Sequence, residues 1–223
     1  MKKIIIAALV MMLVCSASVF AIYSNSNIKD YGGLNVGVSY VYDKYKVGDS
    51  SEVEDQAGQL GIGLTDFTFF GESNLGVYFD ANVLFTLKDN NAYNDDFKSP
   101  VYANLALGLA FKSNMGSSMM LLGGAGVDFM YFSRQNKYYV MHNFYVVERT
   151  YVTLGVFADL EIAYKVARDI YVSLGAKGNL NFAKWVTTDA TDYWGEHTST
   201  ETKDTDGYFG YRVTPKVSVL FVF

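Results

Sequence analysis

The chain has 223 residues, with 18 Lys and Arg against 23 Asp and Glu, a formal charge of −5. Half of it is hydrophobic, with 18 Tyr, 16 Phe and 20 Gly but 2 Pro. Mild acidity without clustered Lys or Arg argues against a nucleic-acid partner, and a single cysteine rules out a disulfide framework.

Residues 1–21 read as a signal peptide. Lys2 and Lys3 form a positive start, Ile4 to Val14 an unbroken apolar run, and Val19-Phe20-Ala21 a cleavage pattern with Ala21 at its last position. Cys15 leaves with this segment, since Leu13 and Val14 fit a lipidation site poorly. The mature region 22–223 is then thiol-free. It lacks any apolar run of eighteen residues, so no transmembrane helix is expected. Residues 22–33 read as a short periplasmic lead-in.

From there the sequence alternates with period two, which specifies strands. The first strand places Leu34, Val36, Val38, Tyr40 and Tyr42 on one face and Asn35, Gly37 and Ser39 on the other. The second opens with Leu60, Ile62 and Leu64. Asp66 then falls on the apolar face and Phe67 and Phe69 on the other, which suggests a bulge near Asp66. The third alternates from Leu75 to Leu87, the fourth from Val101 to Phe111. The fifth runs from Met119 to Tyr131, with Met120 and Leu122 interrupting its polar face. The sixth spans Val152 to Tyr164, the seventh Ile170 to Phe182, and the eighth Phe209 to Phe223. Pro215 lacks a ladder donor and is expected at a bulge or near the outer end of its strand.

The connections alternate in length. Residues 43–58, 88–100, 133–148 and 186–207 are long and polar; 71–74, 113–118 and 166–169 are short. This joins eight strands up and down. Short turns and termini face the periplasm and long loops the exterior, as in an all-β, eight-stranded antiparallel transmembrane β-barrel. A soluble barrel of the same strand number would carry its apolar face inward. Here the polar face is rich in Gly, Asn, Ser and Ala, which suits a narrow lumen. Its charges are of both signs: Asp80, Asp128, Asp159 and Glu161 against Lys112, Lys177, Arg212 and Lys216. Buried charges need partners, so these eight form a candidate lumen network. Tyr40, Tyr42, Phe111, Tyr131, Tyr164, Phe182, Tyr211 and Phe223 lie near strand ends, as interfacial girdles do.

The final VTPKVSVLFVF, with Val219, Phe221 and Phe223 on one face, resembles the C-terminal signature of bacterial outer-membrane barrels. Over residues 30–223 the architecture resembles the small eight-stranded group that includes the OmpA transmembrane domain, OmpX and OmpW. The resemblance implies location in outer-membrane lipid and recognition of the last strand by the barrel-assembly machinery. A clear OmpW-type N-terminal motif is missing, and a peptidoglycan-binding domain after Phe223 is not expected.

Chemistry is sparse. His142 and His197 fall in the third and fourth long loops. Ser133, Asp189, Asp192, Glu196 and Ser199 lie near them in the topology, but no strand carries a His–Ser pairing, and no enzyme is expected. Asp49, Glu52, Glu54 and Asp55 form a solvated acidic loop rather than a metal site, and no cofactor is expected. Gly124 and Gly126 precede no helix and form no phosphate loop. The function expected first is a narrow passive channel or solute route for small molecules. The alternative is a structural or adhesive surface protein that binds external ligands through its loops, with Tyr193 and Trp194 in the fourth.

Overall fold

A computed structural model describes residues 28–46, 53–89, 101–140, 143–191, 197–204 and 206–223. Nine strands follow in chain order: β1 (Ile28–Lys46), β2 (Val53–Phe70), β3 (Leu75–Asp89), β4 (Val101–Asn114), β5 (Met119–Val140), β6 (Asn143–Ala167), β7 (Ile170–Thr191), β8 (His197–Asp204) and β9 (Asp206–Val222). Each pairs antiparallel with its neighbours, and β9 returns to β1, so the sheet closes into a ring of eight staves. β8 continues the eighth stave beyond β9 by pairing along β7, from Trp185↔Asp204 to Thr191↔His197. Gly207, at φ 63°, sits where the two pieces meet.

Closure is what lipid demands, because a sheet edge in hydrocarbon leaves its amides unbonded. The apolar set of each strand points outward: Leu34, Leu75, Leu109, Leu160, Leu174 and Val217 are all exposed. Rings gather at two levels of this surface. Phe70, Phe111, Tyr164, Phe221 and Phe223 stand near the short turns, and Tyr40, Phe85, Phe182, Trp185 and Phe209 near the other end. Phe221 and Tyr211 are ten residues apart on β9. At ~3.3 Å per residue and a tilt near ~40°, that spans about 25 Å, the height of a lipid-facing band.

Several boundaries differ from the sequence reading. β1 begins at Ile28, so 28–33 belong to the wall rather than to a lead-in. Its Tyr31 and Gly33 continue the inward face, and their partners on β2 and β9 hold them in the ladder. The connections 43–58, 133–148 and 186–207 contain long stretches of strand among the described residues. β5 and β6 stay paired from Tyr131↔Val152 out to Val140↔Asn143. The short turns fall where expected, between β2 and β3, β4 and β5, and β6 and β7.

No bulge occurs at Asp66. The β1–β2 register is constant along its whole length, and the β2–β3 shift lies at Gly58/Gln59. Phe67 and Phe69 point inward because that end of the lumen is packed with apolar side chains, where Met120 and Leu122 join them. Pro215 lies mid-strand in β9, not at a bulge or end. The β1–β9 ladder lapses between Gly37↔Lys216 and Tyr40↔Val213 and resumes in the same register. The missing donor is absorbed as a local gap in the seam.

Candidate functional site: the lumen

Inward side chains fill the barrel in three layers. At the short-turn end, Phe67, Phe69, Tyr78, Leu122, Phe157 and Leu220 are fully or almost fully buried. Tyr78 packs on Phe67 with ring centroids 5.1 Å apart and on Phe157 at 4.9 Å. Gly124 faces this ring: a Cβ there would lie 2.4 Å from Tyr78. The glycine is needed for close approach of ring and backbone.

Above this plug lies a charged belt. Lys177 Nζ is 2.5 Å from Asp80 Oδ2 and 3.6 Å from Asp128 Oδ1, and it donates to Asn104 Oδ1 at 3.3 Å. Arg212 approaches Asp128 at 3.4 Å and donates to Asn179 Oδ1 at 3.3 Å. Lys216 Nζ bridges Asp159 at 2.5 Å and Glu161 at 2.6 Å. Neutral donors complete the carboxylates. Asp80 accepts from Asn35, Thr65 and Asn82 at 3.1, 2.8 and 2.7 Å. Asp128 accepts from Asn104 at 2.7 Å. Asp159 accepts from the Tyr78 hydroxyl at 2.5 Å, and Glu161 from Ser173 and Ser218. All seven ionic side chains are at most 4% exposed. A void of about 10 Å³ remains between Asn35, Asp80, Asn104, Lys177, Arg212 and Lys216, room for one water.

A third layer closes the end away from the short turns. Lys184 is 3.3 Å from Asp43, and its ammonium lies 3.7 Å from the Tyr45 ring centroid and 5.0 Å from that of Tyr151. The Tyr208 hydroxyl donates to Asp43 at 3.0 Å. Tyr102, Phe132 and Tyr151 stack in a row with centroids 4.5 Å apart.

Of the eight lumen charges read from sequence, seven meet in the belt. Lys112 does not. It lies over the Phe69 ring at 4.4 Å, at the short-turn mouth. The neutral donors Asn35, Asn104, Ser173 and Ser218 were visible as polar-face residues but carried no sign of their partners. Apolar alternation does not extend to Asp43 and Lys184, which lie toward the outer ends of β1 and β7, so the sequence carries no signal of their pairing. Val219, Phe221 and Phe223 face outward beside the C-terminus. Ala21, His142, Asp192, Tyr193, Trp194, Glu196, Asp49 and Glu52 lie outside the described residues. His197 and Ser199 fall in β8. Ser133 donates to Glu148 at 2.7 Å, and Glu148 stands opposite Asp189. Glu54 pairs with Lys44 at 3.6 Å, and Asp55 accepts from Tyr45.

No family model matches the sequence, and no curated protein matches it. Solved structures do match in shape. A major outer membrane protein from Thermus thermophilus superposes with a TM-score of 0.52 at 13% identity, covering 84% of this chain and 99% of that one. The chain is a small transmembrane β-barrel of the outer-membrane type. The barrel also matches the outer membrane protein OprG from Pseudomonas aeruginosa, with a TM-score of 0.48 at 11% identity over 86% of this chain and 95% of that one.

Proposed function

We propose that this barrel is a bacterial outer-membrane surface protein with no catalytic role. It holds a rigid, closed wall in lipid and binds external ligands at the end away from its termini. The observation that carries this reading is the filled lumen. An aromatic plug, a belt of opposed charges and the Lys184 layer each cross the barrel. A passive channel needs a continuous water path, and an eight-stranded barrel has little room for one once its side chains interdigitate. The filled lumen supports the surface-binding reading over the narrow pore. In this reading the termini and short turns face the periplasm. The β5–β6 and β7–β8 ladders continue past the outer aromatic level, and rigid scaffolds of this kind commonly present recognition surfaces.

Single-channel recording of the folded protein in planar bilayers tests this, with Lys177→Ala as the companion. We expect no steady conductance from the native chain. Steady conductance that changes in Lys177→Ala would place a pore through the belt and overturn the closed-barrel reading.

A further inference from the structure

The buried cations of the belt and of the outer layer all have carboxylate partners. The cations at the opposite mouth do not. Lys29 on β1, Lys112 on β4 and Lys165 on β6 continue the inward faces that carry Tyr31, Ala110 and Ala163 down to the short-turn end. None of the three has an ion-pair partner among the described residues, and neither has Arg168 in the turn that follows β6. Glu72 and Asp169 are exposed in their turns and pair with none of them. Asp30 and Asp66 have the other parity in the β1–β2 ladder and stand on the far side of the wall, beside Gly32.

The three lysines share one aromatic floor. Lys29 stands opposite Phe69 in the β1–β2 ladder, and Lys112 reaches over β3 to lie 4.4 Å above the same ring. The Lys29 charge also acts on Lys112. Lys165 stands opposite Tyr171. Tyr31 joins both sides, with ring centroids 5.9 Å from Phe69 and 5.8 Å from Tyr171. Neither tyrosine hydroxyl has a hydrogen-bond partner among the described residues. Among the described residues the mouth thus holds donors and positive charge that form no ion pair, with the Asp169 carboxylate near Tyr171. Like charges over an apolar floor repel more strongly than in open water, and an anion seated among them removes that repulsion.

We propose that this mouth is a binding site for a multivalent anion presenting phosphate or carboxylate oxygens. Lys29, Lys112 and Lys165 supply the charge, and Tyr31 and Tyr171 supply further donors. The site is separate from the external surface proposed above and stands or falls independently of it.

Calorimetric titration of the folded protein in zwitterionic detergent tests it, with tripolyphosphate and tricarballylate as probes. We expect stoichiometric binding of one or both, weakening as salt is added. In the Lys29→Gln/Lys112→Gln/Lys165→Gln variant the affinity should fall by roughly tenfold or more. Binding of tripolyphosphate alone assigns the phosphate class, and comparable binding of tricarballylate includes carboxylates. Lys112→Gln alone, expected to lose part of the affinity, serves if the triple variant does not fold. Failure of both probes to bind the native protein overturns the proposal. So does binding that survives the triple substitution but is lost in Lys44→Gln/Lys46→Gln at the opposite end.

Discussion

At Lys216 one ammonium sits between two buried carboxylates, Asp159 and Glu161. Removing it leaves two adjacent negative charges in a low-dielectric layer. Breaking a buried pair in this way typically costs ~3–5 kcal/mol. Lys216→Met should therefore lower unfolding stability in urea by about that amount, measured in detergent or lipid, and adding Asp159→Asn should recover part of the loss. Gly124 works through shape instead. A side chain there meets the Tyr78 ring at its Cβ, so Gly124→Val should destabilise the fold by ~1–3 kcal/mol. Combining it with Tyr78→Leu, which removes the obstructing ring, should recover part of that. Failure of the rescue would place the strain elsewhere.

Among the elements, the seam between first and last strands carries an interruption, and Pro215 is its cause. The ladder lapses across Val38 and Ser39 on β1, and the Ser39–Thr214 hydroxyl contact at 2.8 Å is the link that spans it. Hydrogen exchange followed residue by residue should find Val38, opposite Pro215, faster than Val36. Pro215→Ala restores a donor and should slow that exchange, with a gain of about 0.5–1.5 kcal/mol. Uniform protection along β1 before and after the substitution would show that the gap is closed in solution. The β5–β6 hairpin makes the opposite case. Its outer part adds length to the ladder but lies past the lumen layers. Replacing 136–147 with a two-residue Asn-Gly turn should leave the folded, heat-modifiable barrel intact while abolishing external binding by that surface. Loss of folding would give the hairpin a structural role instead.

In the whole molecule, two solvents act on one sheet. Lipid selects the outward face, and period-two alternation records that choice directly in residues such as Leu34, Val36 and Val38 or Leu160, Ile162 and Tyr164. Strand number, face assignment and the short turns were therefore legible without coordinates. So was the presence of inward charges of both signs, since an alternating strand declares which residues share a side. Contacts across the lumen were not legible. Tyr78 meets Asp159 and Lys177 meets Asp80 over sequence separations of 81 and 97 residues, and nothing local encodes such pairs. They depend on barrel diameter and on the stagger of each stave against the next, which set the height of every inward side chain. That stagger brings seven of the charges into one belt and leaves Lys112 with Lys29 and Lys165 at the mouth. It also turns Phe67, Phe69, Met120 and Leu122, which look like breaks in an alternating pattern, into the apolar plug. The sequence by itself determined that this chain forms a closed wall in lipid, because each residue's face depends only on its parity along a strand. Only the tertiary structure decided which side chains fill the lumen among the described residues, because filling a lumen is a property of side chains from opposite strands meeting at the same height.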